Sequence, residues 1–308
     1  MKRRRRRRPD PVLVVGSVAL DTVVTPAGAV ADALGGSAVY FSCACRLFAP
    51  VRMVGIVGRD FPEEHLRLLN RLGADLSGLE RCGGPTFRWT GSYLNDLNEA
   101  QTLAVHLNVM AGYVPKVPDA CRSSRFVFLA NTDPDVQLAV LDCLKKPAFV
   151  ACDTINHWIA TKPEGVAELI RRTDALIVND GEARLLTGGK NLIAAGKELL
   201  RRGPKVIIIK KGEHGAILLT ERSFFAIPAY PVESVVDPTG AGDSFAGGFM
   251  GYLAATGDTS LPALRRAVAC GAVVASFTVE GFSVNCLCSL TQKDVAKRLR
   301  FLRQSCGF

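Results

Sequence analysis

Asp237-Pro238-Thr239-Gly240-Ala241-Gly242-Asp243-Ser244-Phe245 sets a glycine turn flanked by carboxylates at the mouth of a small-residue helix. The apolar Val232, Val235 and Val236 precede it, and Ala246, Gly247, Gly248, Phe249, Gly251, Tyr252 and Leu253 continue it. A strand, a turn and a helix N-terminus in that order present several free backbone N–H groups at one point. The helix dipole adds partial positive charge there, which suits an anionic phosphate. Asp243 falls in the first turn, beside that anion site. A carboxylate so placed can take a proton from a substrate hydroxyl while the N–H groups stabilise a phosphoryl in transfer. An ordinary glycine turn with Asp243 as a helix cap accounts for the same residues, and a GxGD alone is a weak signal.

Other constellations share this polarity of strand end, turn and helix start. Gly16-Ser17-Val18-Ala19-Leu20-Asp21 follows an apolar strand, so Asp21 lies at a carboxyl end, where open α/β sheets bind ligands. It can accept hydrogen bonds from neighbouring sugar hydroxyls, or be a solvated turn residue. Gly35-Gly36-Ser37 precedes a helix, letting a ligand approach the backbone, with Ser37 as a cap. Asn179-Asp180-Gly181-Glu182 also ends a strand and starts a helix, and helix capping explains it equally well. Lys211-Gly212-Glu213-His214-Gly215 follows the continuous Val206-Ile207-Ile208-Ile209, with Lys210 and Lys211 readable as solvated and His214 as exposed. Asp153, in Asp153-Thr154-Ile155-Asn156-His157-Trp158, ends another strand at the same edge; proximity to substrate is left open there and no catalytic role is assigned.

The elements that position these residues alternate. Strand-like runs at 12–17, 51–57, 126–130, 148–153, 175–179 and 206–210 are separated by helix-period segments at 37–48, 63–72, 135–144, 163–172 and 191–202. That rhythm predicts a mostly parallel sheet covered on both faces. The runs 216–220 and 224–228 predict an antiparallel hairpin, and 268–278 reads as the apolar face of a buried helix. Two segments break the rhythm, about 22–34 and 86–114, the second reading as a hairpin around a polar turn at 95–99.

Composition narrows the class. The 308 residues and 48% hydrophobic content suit one large α/β domain. No uninterrupted apolar run reaches the ~18 residues of a membrane span, and no signal-peptide pattern follows the basic start, so a cytoplasmic protein without a membrane partner is expected. The net charge of +9 misleads, because Lys2 and the arginines at 3–8 supply seven of it and leave +2. Residues 1–11 are read as a disordered basic leader, with nucleic-acid binding the less favoured role. The ten cysteines are scattered; Cys43-x-Cys45 and Cys286-x-Cys288 lack metal spacing, so reduced structural thiols are expected.

The full stretch DPTGAGDSFAGGF resembles the C-terminal signature of the phosphofructokinase-B (PfkB)/ribokinase family of carbohydrate and nucleoside kinases. The resemblance extends from Val12 to about Leu302 and implies a ribokinase-like three-layer α/β/α sandwich over residues 12–308. It makes 22–34 and 86–114 a small β-lid that closes over substrate and excludes water. It implies ATP-dependent transfer of the γ-phosphoryl to a hydroxyl of a sugar or nucleoside. Asp243 becomes the catalytic base, and the amides of Gly240, Ala241 and Gly242 the anion hole. Asp21, Gly35, Gly36 and Tyr40 fall at acceptor-binding positions, with Tyr40 standing where the family usually carries Asn and a core role equally open to it. Asn179, Lys211, Gly212 and Gly215 fall at nucleotide positions, and Glu182 holds Mg2+ through water. Asp237 and Thr239, with carbonyls from 276–281, match the positions that bind a monovalent cation in some members, leaving K+ open. Relatives often dimerise through their lids, so a homodimer is a further expectation.

Within the kinase class, Tyr40, Phe41, Phe87, Trp89 and Tyr93 lean toward a nucleoside base that can stack. A catalytically silent ribokinase-fold regulator, tethered to nucleic acid by the arginine leader, is the alternative; the intact Asp243, Asn179 and Glu182 argue against it. A nicotinamide dehydrogenase is disfavoured because Gly16-Ser17-Val18-Ala19 is not a GxGxxG turn.

Overall fold

The computed structural model describes residues 9–306. Its strands are, in chain order, β1 Val12–Val15, β2 Ala19–Thr25, β3 Gly28–Gly35, β4 Val51–Gly58, β5 Ala74–Cys82, β6 Phe87–Ser92 and β7 Gln101–His106. There follow β8 Phe126–Leu129, β9 Phe149–Cys152, β10 Ala175–Asn179, β11 Val206–Lys210, β12 Ala216–Thr220 and β13 Ser223–Ile227. One sheet runs in the order β13-β12-β11-β10-β9-β8-β1-β4-β5. It is parallel from β5 to β11 and ends in the antiparallel β11-β12-β13.

Burial explains the sequence of its strands. Val12 and Val14 enter one apolar cluster with Phe41 and Phe249, while Leu13 and Val15 enter another with Val136 and Leu169. Val206 and Ile208 divide from Ile207 and Ile209 in the same way. With both faces covered, the pleat has no polar side, and the strand reads as an unbroken apolar run. β5 was not expected because it is an edge strand whose side chains are nearly all exposed or half-covered, with little apolar signal.

On one face, helix Ala241–Thr256 packs between helices Ser37–Cys45 and Leu261–Thr278. A methyl group on Gly248 would press on Gly271, 3.0 Å away, so glycines here allow the helices to touch. Leu261–Thr278 has the length and mean hydropathy, 1.2, of a membrane span, yet it is the buried core helix that the sequence predicts. All ten cysteines are free thiols, and Cys43, Cys45, Cys121, Cys152 and Cys270 are buried.

A second sheet has the order β3-β2-β6-β7, with β2 and β6 parallel and both outer pairs antiparallel. It occupies the two segments that break the βα rhythm. β2 begins at Ala19, so Asp21 is a strand residue opposite Ala33 and Trp89, not a turn residue. Pairing slips immediately after it, between Asp21 and Val23, a bulge of the kind that re-aims a side chain. Leu103 and Val105 of β7, an edge strand of this sheet, are exposed. Residues 1–8 of the expected leader lie outside the described residues.

Candidate active site

The signature loop is tied down before the helix begins. Asp237 accepts hydrogen bonds from the Thr239 N–H at 2.9 Å and the Ser283 N–H at 3.3 Å. The Val236 N–H donates to the Val279 carbonyl at 2.7 Å, so the loop hangs on the end of helix Leu261–Thr278. Gly240 then turns with φ 72°, and a methyl group there would overlap the Tyr40 ring. Glycine is required on both counts. In the first helical turn the Ala241 N–H donates to Pro238 at 3.2 Å, while the Gly242 N–H has no backbone partner among the described residues. Of the amides expected to form an anion hole, Ala241 is therefore partly engaged and Gly242 is open.

Asp243, at the start of this helix, has its carboxyl group pushed up to about 6 by burial, against the opposing pull of the Lys210 ammonium and its own backbone N–H. Asp21 lies across from it, 5% exposed. Burial pushes Asp21 up to about 7, the Gly36 N–H opposes this, and the charges of Asp237 and Asp243 add to it. A methyl group on Gly35 would overlap the Asp21 carboxylate. Asp21, Gly35 and Gly36 thus form one tight unit facing Asp243. Ser37 is not the helix cap that its position predicts: its hydroxyl donates to the Asn131 carbonyl at 2.9 Å and accepts the Ser17 N–H at 3.0 Å, stitching β1 to the diglycine turn.

Asn179 and Glu182 form a reciprocal capping box, each side chain accepting the other's backbone N–H at 2.7 Å. The capping reading is right, and it does not use up the carboxylate: Glu182 is buried and feels both Lys210 and Asp243, with burial raising its carboxyl group. Asp153 is 5% exposed, its Oδ1 buried without a hydrogen-bond partner. Burial and the charge of Asp243 push it well above the usual carboxylate range. The last residues of β10 and β11, Asn179 and Lys210, are register partners, which brings the two loops together at one sheet edge.

The turn after β11 closes with the Lys211 N–H on the Gly215 carbonyl at 2.8 Å, around a short 3-10 helix Gly212–His214. Gly212 is exposed with φ 52°, and the space a side chain would need is taken by Asn98 from the β6–β7 loop. His214 is exposed, as its loop position predicts. The aromatic set divides. Tyr40 is 2% exposed beneath Gly240, Phe41 stacks on Phe128 at 4.7 Å inside the core, and Tyr93 sets its hydroxyl 3.4 Å from that of Thr239. Phe41 is thus withdrawn from any ligand. Phe87 and Trp89, on β6, remain half-buried.

The family described as "pfkB family carbohydrate kinase" matches residues 12–284. The chain belongs to this family. It is a kinase, a phosphotransferase with an alcohol group as acceptor. It is 31% identical over 247 residues to the cytidine kinase of Thermococcus kodakarensis, covering 78% of this chain and 88% of that protein. It is 27% identical to the aminoimidazole riboside kinase of Salmonella typhimurium, covering 86% and 88% of the two chains. Among solved structures, the Methanocaldococcus jannaschii nucleoside kinase of the ribokinase family superposes with a TM-score of 0.78 at 23% identity, over 96% of this chain and 99% of that one. The Burkholderia thailandensis nucleoside kinase in complex with inosine gives 0.77 at 22%, over 94% and 98%. These likenesses establish the ribokinase fold.

Proposed function

We propose that the chain transfers the γ-phosphoryl of ATP to a hydroxyl group of a nucleoside, with Asp243 as the base. The observation that carries this reading is the pairing of Asp243, at an open helix N-terminus, with the buried Asp21–Gly35–Gly36 unit facing it. Asp21 holds acceptor hydroxyls; Asp243 takes the proton of the attacking one. The acceptor oxygen forms a bond to the γ-phosphorus as the bond to the β–γ bridging oxygen breaks, and ADP leaves with that electron pair. The Gly242 amide and the helix dipole stabilise charge on the phosphoryl in flight. The second sheet acts as a lid over the acceptor, and Asn98, lying against Gly212, brings its loop to the nucleotide turn formed by Lys211, Gly212 and Gly215. Kinship with a cytidine kinase and likeness to nucleoside kinases favour a nucleoside over a free sugar.

Magnesium fits these residues. Asp153 has a buried, unpartnered oxygen, Glu182 is buried beside it in the same charged cluster, and no set of three or more metal-ligating side chains converges among the described residues. That donor set suits a cation which keeps most of its waters. When bound, it would neutralise charge on the nucleotide phosphates. The Asp237–Thr239 loop is the place for a monovalent cation, checked by comparing rates in K+ and Na+ salts. The deciding experiment is a phosphoryl-transfer screen with ATP and Mg2+ across nucleosides, pentoses, hexoses and inositols. Turnover with cytidine or another nucleoside is expected; turnover confined to free sugars would overturn the nucleoside assignment.

A further inference from the structure

Lys210 ends β11 beside Asn179, and its Nζ lies 2.7 Å from the point that a Cβ on Gly242 would occupy. The ammonium therefore rests against the first turn of helix Ala241–Thr256. That is the wrong end of a helix for a cation, because the dipole there is already positive. Three buried or half-buried carboxylates, Asp153, Glu182 and Asp243, feel its charge, yet no carboxylate comes within 4.0 Å of it among the described residues, and no hydrogen bond engages it. A half-buried ammonium without a direct partner, set beside an open backbone N–H, makes physical sense when an anion occupies the space between them.

We infer that Lys210 is a catalytic residue of this kinase, its ammonium contacting the γ-phosphoryl group of ATP as that group passes to the acceptor. The inference rests on the proposed reading of the Gly240–Asp243 turn as the phosphoryl site. Lys211, one residue past the end of β11, has its backbone N–H in the following turn, and it is the Lys210 ammonium that lies at Gly242. The contact is selective: ATP carries the γ-phosphoryl group and ADP does not. Lysine serves here as a point charge that can follow the phosphoryl group.

The test measures calorimetric affinities of wild type, Lys210→Met and Lys210→Arg for a non-hydrolysable ATP analogue and for ADP, each with Mg2+. Lys210→Met should lose about 10- to 100-fold in affinity for the ATP analogue, the scale of one charge-assisted contact, while ADP binding stays within about twofold. Lys210→Arg should recover most of the loss. A merely structural lysine would affect both nucleotides alike. Equal affinities of Lys210→Met and wild type for the ATP analogue, or equal losses for the two nucleotides, would overturn the inference. A wild-type chain that binds neither nucleotide would instead overturn the reading of the site itself.

Discussion

Replacing Asp21 by Asn removes an ionisable group that the fold holds in an unfavourable place. Asp21 is 5% exposed, and burial, helped by the charges of Asp237 and Asp243, raises its carboxyl group from the ordinary 3.8 to about 7. Because the folded value lies above the unfolded one, the contribution to stability is fully present below the ordinary carboxylate range. It is lost as pH rises through about 7. At about 1.36 kcal/mol per pH unit that interval is worth roughly 4 kcal/mol, and local relaxation reduces the expected gain to about 1–3 kcal/mol. Asn keeps an oxygen for the Gly36 N–H and carries no charge. Urea unfolding at about pH 4.5 and about pH 8 should therefore show Asp21→Asn gaining on wild type as pH rises, and exceeding it at the higher value. The same variant should bind acceptor poorly, separating stability from function. An Asn variant whose stability relative to wild type does not improve with pH would refute the claim that Asp21 is a strained, buried acid.

Gly240→Ala forces a φ of 72° on a residue with a side chain and drives its methyl group into Tyr40. It should cost about 2–4 kcal/mol in urea unfolding, and Tyr40→Ala in the same chain should recover part of that; strictly additive losses would remove Tyr40 as the wall behind the loop. The Asp243 carboxyl group, held up at about 6, must be ionised to act, so kcat/KM should fall as pH drops below about 6. A rate flat down to about pH 5 would mean that another group takes the proton. Glu182→Gln keeps an oxygen for the Asn179 N–H, so the fold should survive, while the Mg2+ needed for half-maximal rate should rise about tenfold in a metal titration.

The parallel sheet was legible because its central strands are buried on both faces, and Val206-Ile207-Ile208-Ile209 has no polar side to confuse with anything else. β5 was not, since an edge strand with Asp75, Ser77 and Arg81 exposed carries little apolar signal. Asn179 and Glu182 announce a capping box by spacing alone. Their proximity to Asp153, Lys210 and Asp243 is a product of strand order, β9-β10-β11, which no local pattern encodes. Asp21 could be identified as a candidate but not placed, because β2 starts three residues earlier than the turn reading implies and a bulge follows it. Lys210 was readable only as a lysine at a strand end. Its importance comes from Gly242, which lies 32 positions away in sequence and beside it in space.

The most direct test of the account is Asp243→Asn, assayed for turnover and for nucleotide binding in the same preparation. Asn is nearly isosteric and cannot accept the acceptor's proton. The variant should bind the ATP analogue and acceptor at least as well as wild type, since a negative charge beside the phosphates has gone. Its kcat should fall by about 10²–10⁴-fold, the range of a positioned general base. Wild-type turnover by Asp243→Asn would contradict the central claim, because the one carboxylate at the open helix N-terminus would then have no part in the chemistry.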